Sequence, residues 1–427
     1  MTGGGGLLQL VAQGKQDVFL TGNPQITWFK MVYRRYTNFS IESQALYFDG
    51  TADFGKRISC LVPRRGDLLG PMMLEVTLPQ LYLADGKNPP TPVSYCNSIG
   101  HALISEISVE IGEQEIDKQT GEFMEIWSRL TTLTDKSNGF NDMIGKVDGY
   151  STPSLNGPIK LYIPLRFWFN RNPGLYLPLL ALQYHPIRIN IKLRPLQELF
   201  YCGFGTQLVE SCNTVQVKDA HITEMQLWGD YVFLDVEERR RFVSSTHEYL
   251  IEQIQYTPDI SIPSGNTTVN VPLEFNHPCK EFIWVIKRDV MSKYHEWFNF
   301  SSLATNEVGT RTDLLSTDRT TVLQLDGQDR FEARDAGYFR LVQPWQHHSV
   351  VPDDSFIYLY SFALRPEDSQ PSGAMNASRI NSILLSMGLA PDTLLTPDRG
   401  NATVVVYATN YNVLRVVNGF GGVLFTI

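Results

Sequence analysis

His347 and His348 follow Gln346 and precede Asp353 and Asp354, a grouping with the residue types of a metal or acid–base centre. On a strand, consecutive side chains point to opposite faces, so the two imidazoles could share one site only across a bulge. The expectation is therefore that they carry no chemistry, and His185, between Tyr184 and Pro186 at a strand end, is read the same way. Glu332 and Asp335 are the carboxylate pair to test for glycoside chemistry, which needs two such groups facing across a cleft. The sequence contains no G-x-S-x-G elbow, Walker loop, H-E-x-x-H pair or dinucleotide fingerprint. No catalytic residue, metal ligand or cofactor is expected.

The five cysteines, Cys60, Cys96, Cys202, Cys212 and Cys279, are odd in number and never spaced as C-x-x-C, which predicts free thiols in place of a disulfide framework or zinc site. Arg239, Arg240 and Arg241 form the longest basic run, and Glu237 and Glu238 just ahead of them predict a salt-bridged turn or subunit contact. With a net charge of −9, the chain lacks the basic footprint that phosphate backbones require, so no direct nucleic-acid partner is expected. Asn-x-Ser/Thr acceptors occur at Asn38, Asn266, Asn299, Asn376 and Asn401. Of these, Asn266, Asn299 and Asn401 are kept as glycosylation candidates, with Asn266 and Asn401 in the most loop-like surroundings.

These residues must be positioned by a scaffold whose composition is that of a large folded core: 43% hydrophobic, 11% aromatic and only 19% charged over 427 residues, room for two domains. The 24 prolines and 32 glycines are spread along the chain, punctuating many short strands, so the fold class is all-β with short helices in loops. Strands are read at Phe39 to Phe48, Met72 to Leu78, Ile104 to Ile111, Val269 to Phe275, Glu281 to Lys287, Thr320 to Leu325, Ser355 to Leu364 and Thr403 to Val417. Pro164 to Leu193 reads as two apolar strands joined by an Asn-Pro-Gly turn. Asp230 to Gln255 reads as a strand, a charged turn and a further strand or short helix. Gly121 to Leu130 has a helical apolar face, and Arg379 to Met387 is read as a short helix. Trp168, Trp284, Trp297 and Trp345 are read as core or subunit-interface anchors.

Ile111 to Phe123 (IGEQEIDKQTGEF) echoes Leu325 to Phe339 (LDGQDRFEARDAGYF): an apolar residue, Gly, Gln, a charged stretch and then Gly-x-Phe. The spacing is about half the chain, as a duplicated unit predicts. The segment ahead of the first strands starts with Gly3 to Gly6, has no basic n-region or cleavable apolar core, and reads as an arm laid on something else. No apolar run reaches the roughly 18 residues of a membrane span.

Six stretches, in order, resemble the double jelly-roll major capsid proteins of nucleocytoplasmic large DNA viruses, most of all those infecting algae. They are Gln9 to Phe39 (QLVAQGKQDVFLTGNPQITWFKMVYRRYTNF), Phe167 to Ile189, Asp230 to Gln255, Leu273 to Val285 (LEFNHPCKEFIWV), Tyr358 to Ile380 and Tyr411 to Val423. The resemblance implies two tandem eight-stranded jelly-roll β-sandwiches, divided as an arm at 1–26, a first sandwich at 27–215 and a second at 216–427. It further implies a non-enzymatic homotrimer that forms a pseudo-hexagonal capsomer, meets neighbouring capsomers and tiles an icosahedral shell. By the same analogy Leu7, Leu10, Phe19, Trp28 and Phe29 face the shell interior, meeting minor capsid proteins or an inner viral membrane, in a virion assembled in the host cytoplasm. A minor or paralogous capsid protein of the same fold is the alternative, and a carbohydrate-binding or carbohydrate-active β-sandwich is the reading from another class.

Overall fold

The computed structural model describes residues 4–82, 93–147, 157–202, 220–305, 307, 309–352, 355–390 and 400–426. The chain divides into two compact units, Met1–Asn38 and Phe39–Ile427. The first holds two short helices, Gly4–Val11 and Lys15–Thr21, the second started by the Asp17 carboxylate accepting from the Gly14 amide at 2.8 Å. Residues 27–38 contain no strand and fall in the first of the two units.

The second unit is built on sixteen principal strands among the described residues. In the first half these are β1 (Phe39–Leu46), β2 (Arg57–Leu61), β3 (Leu68–Leu78), β4 (Ile104–Ile111), β5 (Gln114–Thr120), β6 (Ile159–Pro164), β7 (Ile187–Leu193) and β8 (Glu224–Leu234). In the second half they are β9 (His247–Tyr256), β10 (Thr268–Pro272), β11 (Pro278–Arg288), β12 (Val322–Leu325), β13 (Gln328–Asp329), β14 (Tyr358–Ser361), β15 (Ile383–Gly388) and β16 (Ala402–Val417). The first half pairs them as β1-β8-β3-β6 and β2-β7-β4-β5; the second as β9-β16-β11-β14 and β10-β15-β12-β13. Adding eight to every label of the first arrangement produces the second. Each half is thus an eight-stranded jelly roll of two four-stranded antiparallel sheets, extended at edges by pieces such as Phe420–Val423.

The two halves also share their hairpin chemistry. Between β4 and β5 the turn is Gly112-Glu113, and between β12 and β13 it is Asp326-Gly327; all four residues have positive φ, as the tight turns that match strand twist require. Both hairpins lie in the echoed stretches, and both are followed by a helical segment carrying a fully buried phenylalanine, Phe123 in Gly121–Thr131 and Phe339 in Tyr338–Val342.

Four local expectations change. Arg379 to Met387 is β15 preceded by a single turn at Ala377–Arg379, because Ile383, Leu385 and Met387 alternate with partly exposed residues at a strand period. The charged turn around Glu237 is a helix, Val236–Ser244. Asp235 caps it through the Val236 amide at 2.7 Å, the acidic residues sit in its first turn, and Arg241 sits in its last. After β6 the chain turns into a helix, Trp168–Arg171, so the Asn-Pro-Gly turn, where Asn172 accepts from the Gly174 amide at 2.9 Å, does not directly join two strands. Finally, residues 224–234 fall beyond the expected division at 215/216, which itself lies outside the described residues, yet β8 is hydrogen-bonded between β1 and β3 of the first sandwich.

The cores explain how the halves adhere. Phe282, Trp284, Ile286, Phe339, Leu385 and Val404 fill the second sandwich. A larger cluster joins the interior of the first sandwich to the outer face of β9-β16-β11-β14 through Ile283, Val285, Leu359, Val405 and Tyr407. β11 is accordingly buried without a break from Cys279 to Ile286, whereas β3 alternates buried Met72, Leu74, Val76 and Leu78 with half-buried Met73, Glu75 and Thr77.

Candidate assembly surface

The grouping around His348 is structural. His347 ends a helix, Gln343–His347, His348 caps it, and the two rings part company all the same. His347 Nδ1 lies 3.1 Å from the Leu364 carbonyl, while the buried His348 ring bridges Glu281 at 2.8 Å and Glu367 at 3.0 Å. Burial alone would discharge this imidazole, but the two carboxylates outweigh it and lift the group to about 9, so it stays cationic at neutral pH and is ill suited to passing protons. Asp353 and Asp354 lie outside the described residues. Among the described residues no cluster with metal-binding composition occurs. His185 Nδ1 sits 2.7 Å from the Gly421 carbonyl and its ring meets Phe420 edge-on, joining the first sandwich to the last hairpin of the second. Glu332 is exposed on the segment that follows β13, three residues ahead of Asp335.

Cys60, Cys96, Cys202 and Cys279 are buried free thiols, and Cys212 lies outside the described residues. Burial pushes Cys60 up to about 11 and Cys96 and Cys279 up to about 12, which leaves them without appreciable thiolate. Arg239 reaches Asp67 of the first sandwich at 3.3 Å and Arg240 reaches Glu237 at 3.4 Å, the compensated cluster that the sequence predicts.

What the fold builds with care is the contact between sandwiches. β5 of the first sandwich lies against β9: the Asp117 carboxylate accepts from the Ile254 amide at 3.0 Å, and the Gln253 amide donates to the Ile116 carbonyl. Burial pushes the Asp117 carboxyl up to about 6 despite that hydrogen bond. The end of β5 and the helix that follows continue the contact, with Thr120 Oγ1 3.3 Å from the Tyr407 hydroxyl, Glu122 3.1 Å from Lys287 Nζ, and Phe123 packed on the Tyr407 ring. Arg171, Glu252 and Lys280 form a chain of charges across the same seam. No sequence motif marks Asp117 or Glu252. A signal existed for Lys280, since PCKEFIWV places charges inside an otherwise apolar strand, where only partners within the fold can satisfy them.

Asn266 and Asn401 are exposed on neighbouring loops of the second sandwich, where the Asn401 side chain accepts from the Ser264 amide at 3.1 Å. Asn299 is a correction: only 4% of it is exposed, and its amide nitrogen donates to Glu296 at 2.6 Å and the Leu303 carbonyl at 3.0 Å, which leaves no access for a glycan. In the arm, Leu7, Leu10 and Phe19 are exposed, as are Trp28 at 86% and Phe29 at 98%. Trp168 and Trp284 are core residues, Trp297 is capped by the Arg194 guanidinium 3.9 Å from its ring centre, and Trp345 is 75% exposed. No helix among the described residues is long and apolar enough to cross a membrane.

Two family patterns match successive parts of the chain. One described as "Major capsid protein N-terminus" matches residues 27–235, and one described as "Large eukaryotic DNA virus major capsid protein" matches residues 238–422. The major capsid protein of Pyramimonas orientalis virus is 40% identical, over 99% of this chain and 100% of its own length. A chain of the PBCV-1 virus capsid superimposes with a TM-score of 0.75 at 31% identity, covering 94% of this chain and 100% of that one. The Faustovirus major capsid protein shares the fold at 13% identity, with a TM-score of 0.74 over 95% of this chain and 94% of its own.

Proposed function

This chain belongs to the major capsid protein family of large eukaryotic DNA viruses, and on that footing we propose that three copies close into a capsomer of nearly sixfold outline. The chain is a structural subunit of an icosahedral virion shell, not an enzyme. The observation that carries the trimer is the shared strand order of its two sandwiches: a threefold ring of such chains presents six like bodies around its axis, an outline that can pave a lattice. Light scattering on the purified chain tests it. A species of three times 48.4 kDa is expected, and a monomer that persists at every concentration would overturn it.

The division between sandwiches is proposed at Asp235, after β8, a reading supported by its pairing with β1 and β3 and by the family match ending at residue 235. The exposed apolar side chains of the arm, Leu7, Leu10, Phe19, Trp28 and Phe29, are proposed to be covered at the inner base of the shell by minor capsid proteins or the membrane beneath. Capsomers are proposed to meet one another through polar loops and to assemble in the host cytoplasm. Asn266 and Asn401 are the proposed glycan acceptors.

A further inference from the structure

Charge is divided unevenly between the two units. In Met1–Asn38 the cations Lys15, Lys30, Arg34 and Arg35 stand against one carboxylate, Asp17, although the chain as a whole carries −9. The remainder is therefore more acidic than the total. Every residue from 4 to 38 is exposed. The helix Gly4–Val11 gathers Leu7, Leu8, Leu10 and Val11 on one side with Gln9 opposite, and at 1.5 Å per residue it is about 12 Å long. A hydrocarbon layer is roughly 30 Å thick, so such a helix fits along a bilayer surface and not across one. Further on, Trp28, Phe29, Met31, Val32, Tyr33 and Tyr36 are between 75% and 98% exposed, and Lys30, Arg34 and Arg35 are interspersed among them.

Resting on the reading that the arm lies at the inner base of the shell, we propose that its occupant there is an anionic lipid surface. The apolar side of Gly4–Val11 and the rings from Trp28 to Tyr36 enter the boundary between headgroups and acyl chains, and Lys30, Arg34 and Arg35 extend to the phosphates. Neighbouring side chains project in different directions whatever backbone the segment takes, so a one-sided protein groove would cover only part of the run from Trp28 to Val32. A headgroup layer surrounds them all, and it is the zone in which tryptophan and tyrosine rings settle. Charge then selects the lipid: anionic headgroups attract the four cations and repel the acidic remainder of the chain, so attachment falls to the arm.

The test is sedimentation of the purified full chain with vesicles of equal parts phosphatidylserine and phosphatidylcholine, compared with vesicles of phosphatidylcholine alone. The parent should pellet far more with the anionic vesicles, and added salt should weaken that binding. Arg34→Gln combined with Arg35→Gln should lower the partition coefficient on anionic vesicles about twenty-fivefold, about fivefold per cation, and leave the neutral vesicles unaffected. Trp28→Ser combined with Phe29→Ser should lower it on both. All four side chains are exposed, so circular dichroism and light scattering should match the parent. Equal pelleting with the two vesicle types, or arginine variants that bind as the parent does, would overturn the inference. A parent that pellets with neither would also overturn it. If removal of Leu7 to Phe29 nevertheless blocks shell formation, the arm keeps its place at the base with a protein as its occupant; normal shells from that truncation would remove the underlying reading as well.

Discussion

Arg171, in the short helix after β6, donates to one carboxylate oxygen of Glu252 on β9 at 2.7 Å, while the other oxygen of Glu252 holds the fully buried Lys280 on β11 at 2.7 Å. One acid is thus shared by a cation from each sandwich. Burial lowers the Lys280 ammonium, and Glu252 and Glu281 oppose that shift. A pair of this kind adds little net stability over an apolar replacement, but it is expensive to break from one side.

Glu252→Gln should therefore destabilise the chain by about 3–5 kcal/mol, the range for leaving a buried charge unpaired. Urea titration of the variant and parent measures it. A shift below about 1 kcal/mol, the range of exposed pairs, would show that the charges are solvated and the chain of contacts incidental.

His348 makes stability depend on pH in the alkaline direction. Its folded value, about 9, lies above the ordinary value of 6.5, so the stabilising cation is fully present below pH 6.5 and is lost as pH rises through 9. That difference corresponds to about 3 kcal/mol. Melting temperatures recorded across the window should fall in the parent and stay nearly level in His348→Gln, which begins less stable because Glu281 and Glu367 lose their shared cation.

The duplicated hairpins should not tolerate the same change equally. Gly327 has φ +77° with open space around its Cα, so Gly327→Ala should cost about 1 kcal/mol from the left-handed backbone alone. Gly112 has φ +58° and an added Cβ would sit 2.4 Å from the His185 ring, so Gly112→Ala must also displace that ring and its contact with Gly421. Chemical denaturation should rank Gly112→Ala well below Gly327→Ala, and equal costs would contradict the close approach.

Removing Leu7 to Phe29 should leave the oligomer of the purified chain unchanged, since these residues precede β1 and contribute no strand to either sandwich. Particle formation should fail. Normal shells from the truncated protein, seen by electron microscopy, would refute the arm's role in assembly.

Much of this protein is legible without coordinates. Punctuation by proline and glycine marks an all-β chain, and the echo of IGEQ in LDGQ picks out two equivalent tight hairpins, because a two-residue turn with positive φ is specified by its own residues. The helix at Gly121 is equally local, capped by Thr120 accepting from the Phe123 amide at 3.1 Å. Even the covered sheet leaves a trace: LEVTL on β3 alternates as a sheet with one wet face should, while FIWVI on β11 is apolar throughout, as burial on both faces demands.

Tertiary structure decided the rest. A period of two tells which face of β8 turns inward but not which strands flank it, and the strand read at the start of the second half pairs with β1 and β3. Asn299 carries the same acceptor motif as Asn401, yet the one is sealed among Glu296, Ser301 and Leu303 and the other is exposed. Glu252 and Lys280 are ordinary charges until folding sets them 2.7 Å apart with the lysine fully buried. Local sequence determines dihedral preferences and faces, whereas pairing, burial and the partner of a charge depend on residues far away in the chain, which only the closed fold brings together.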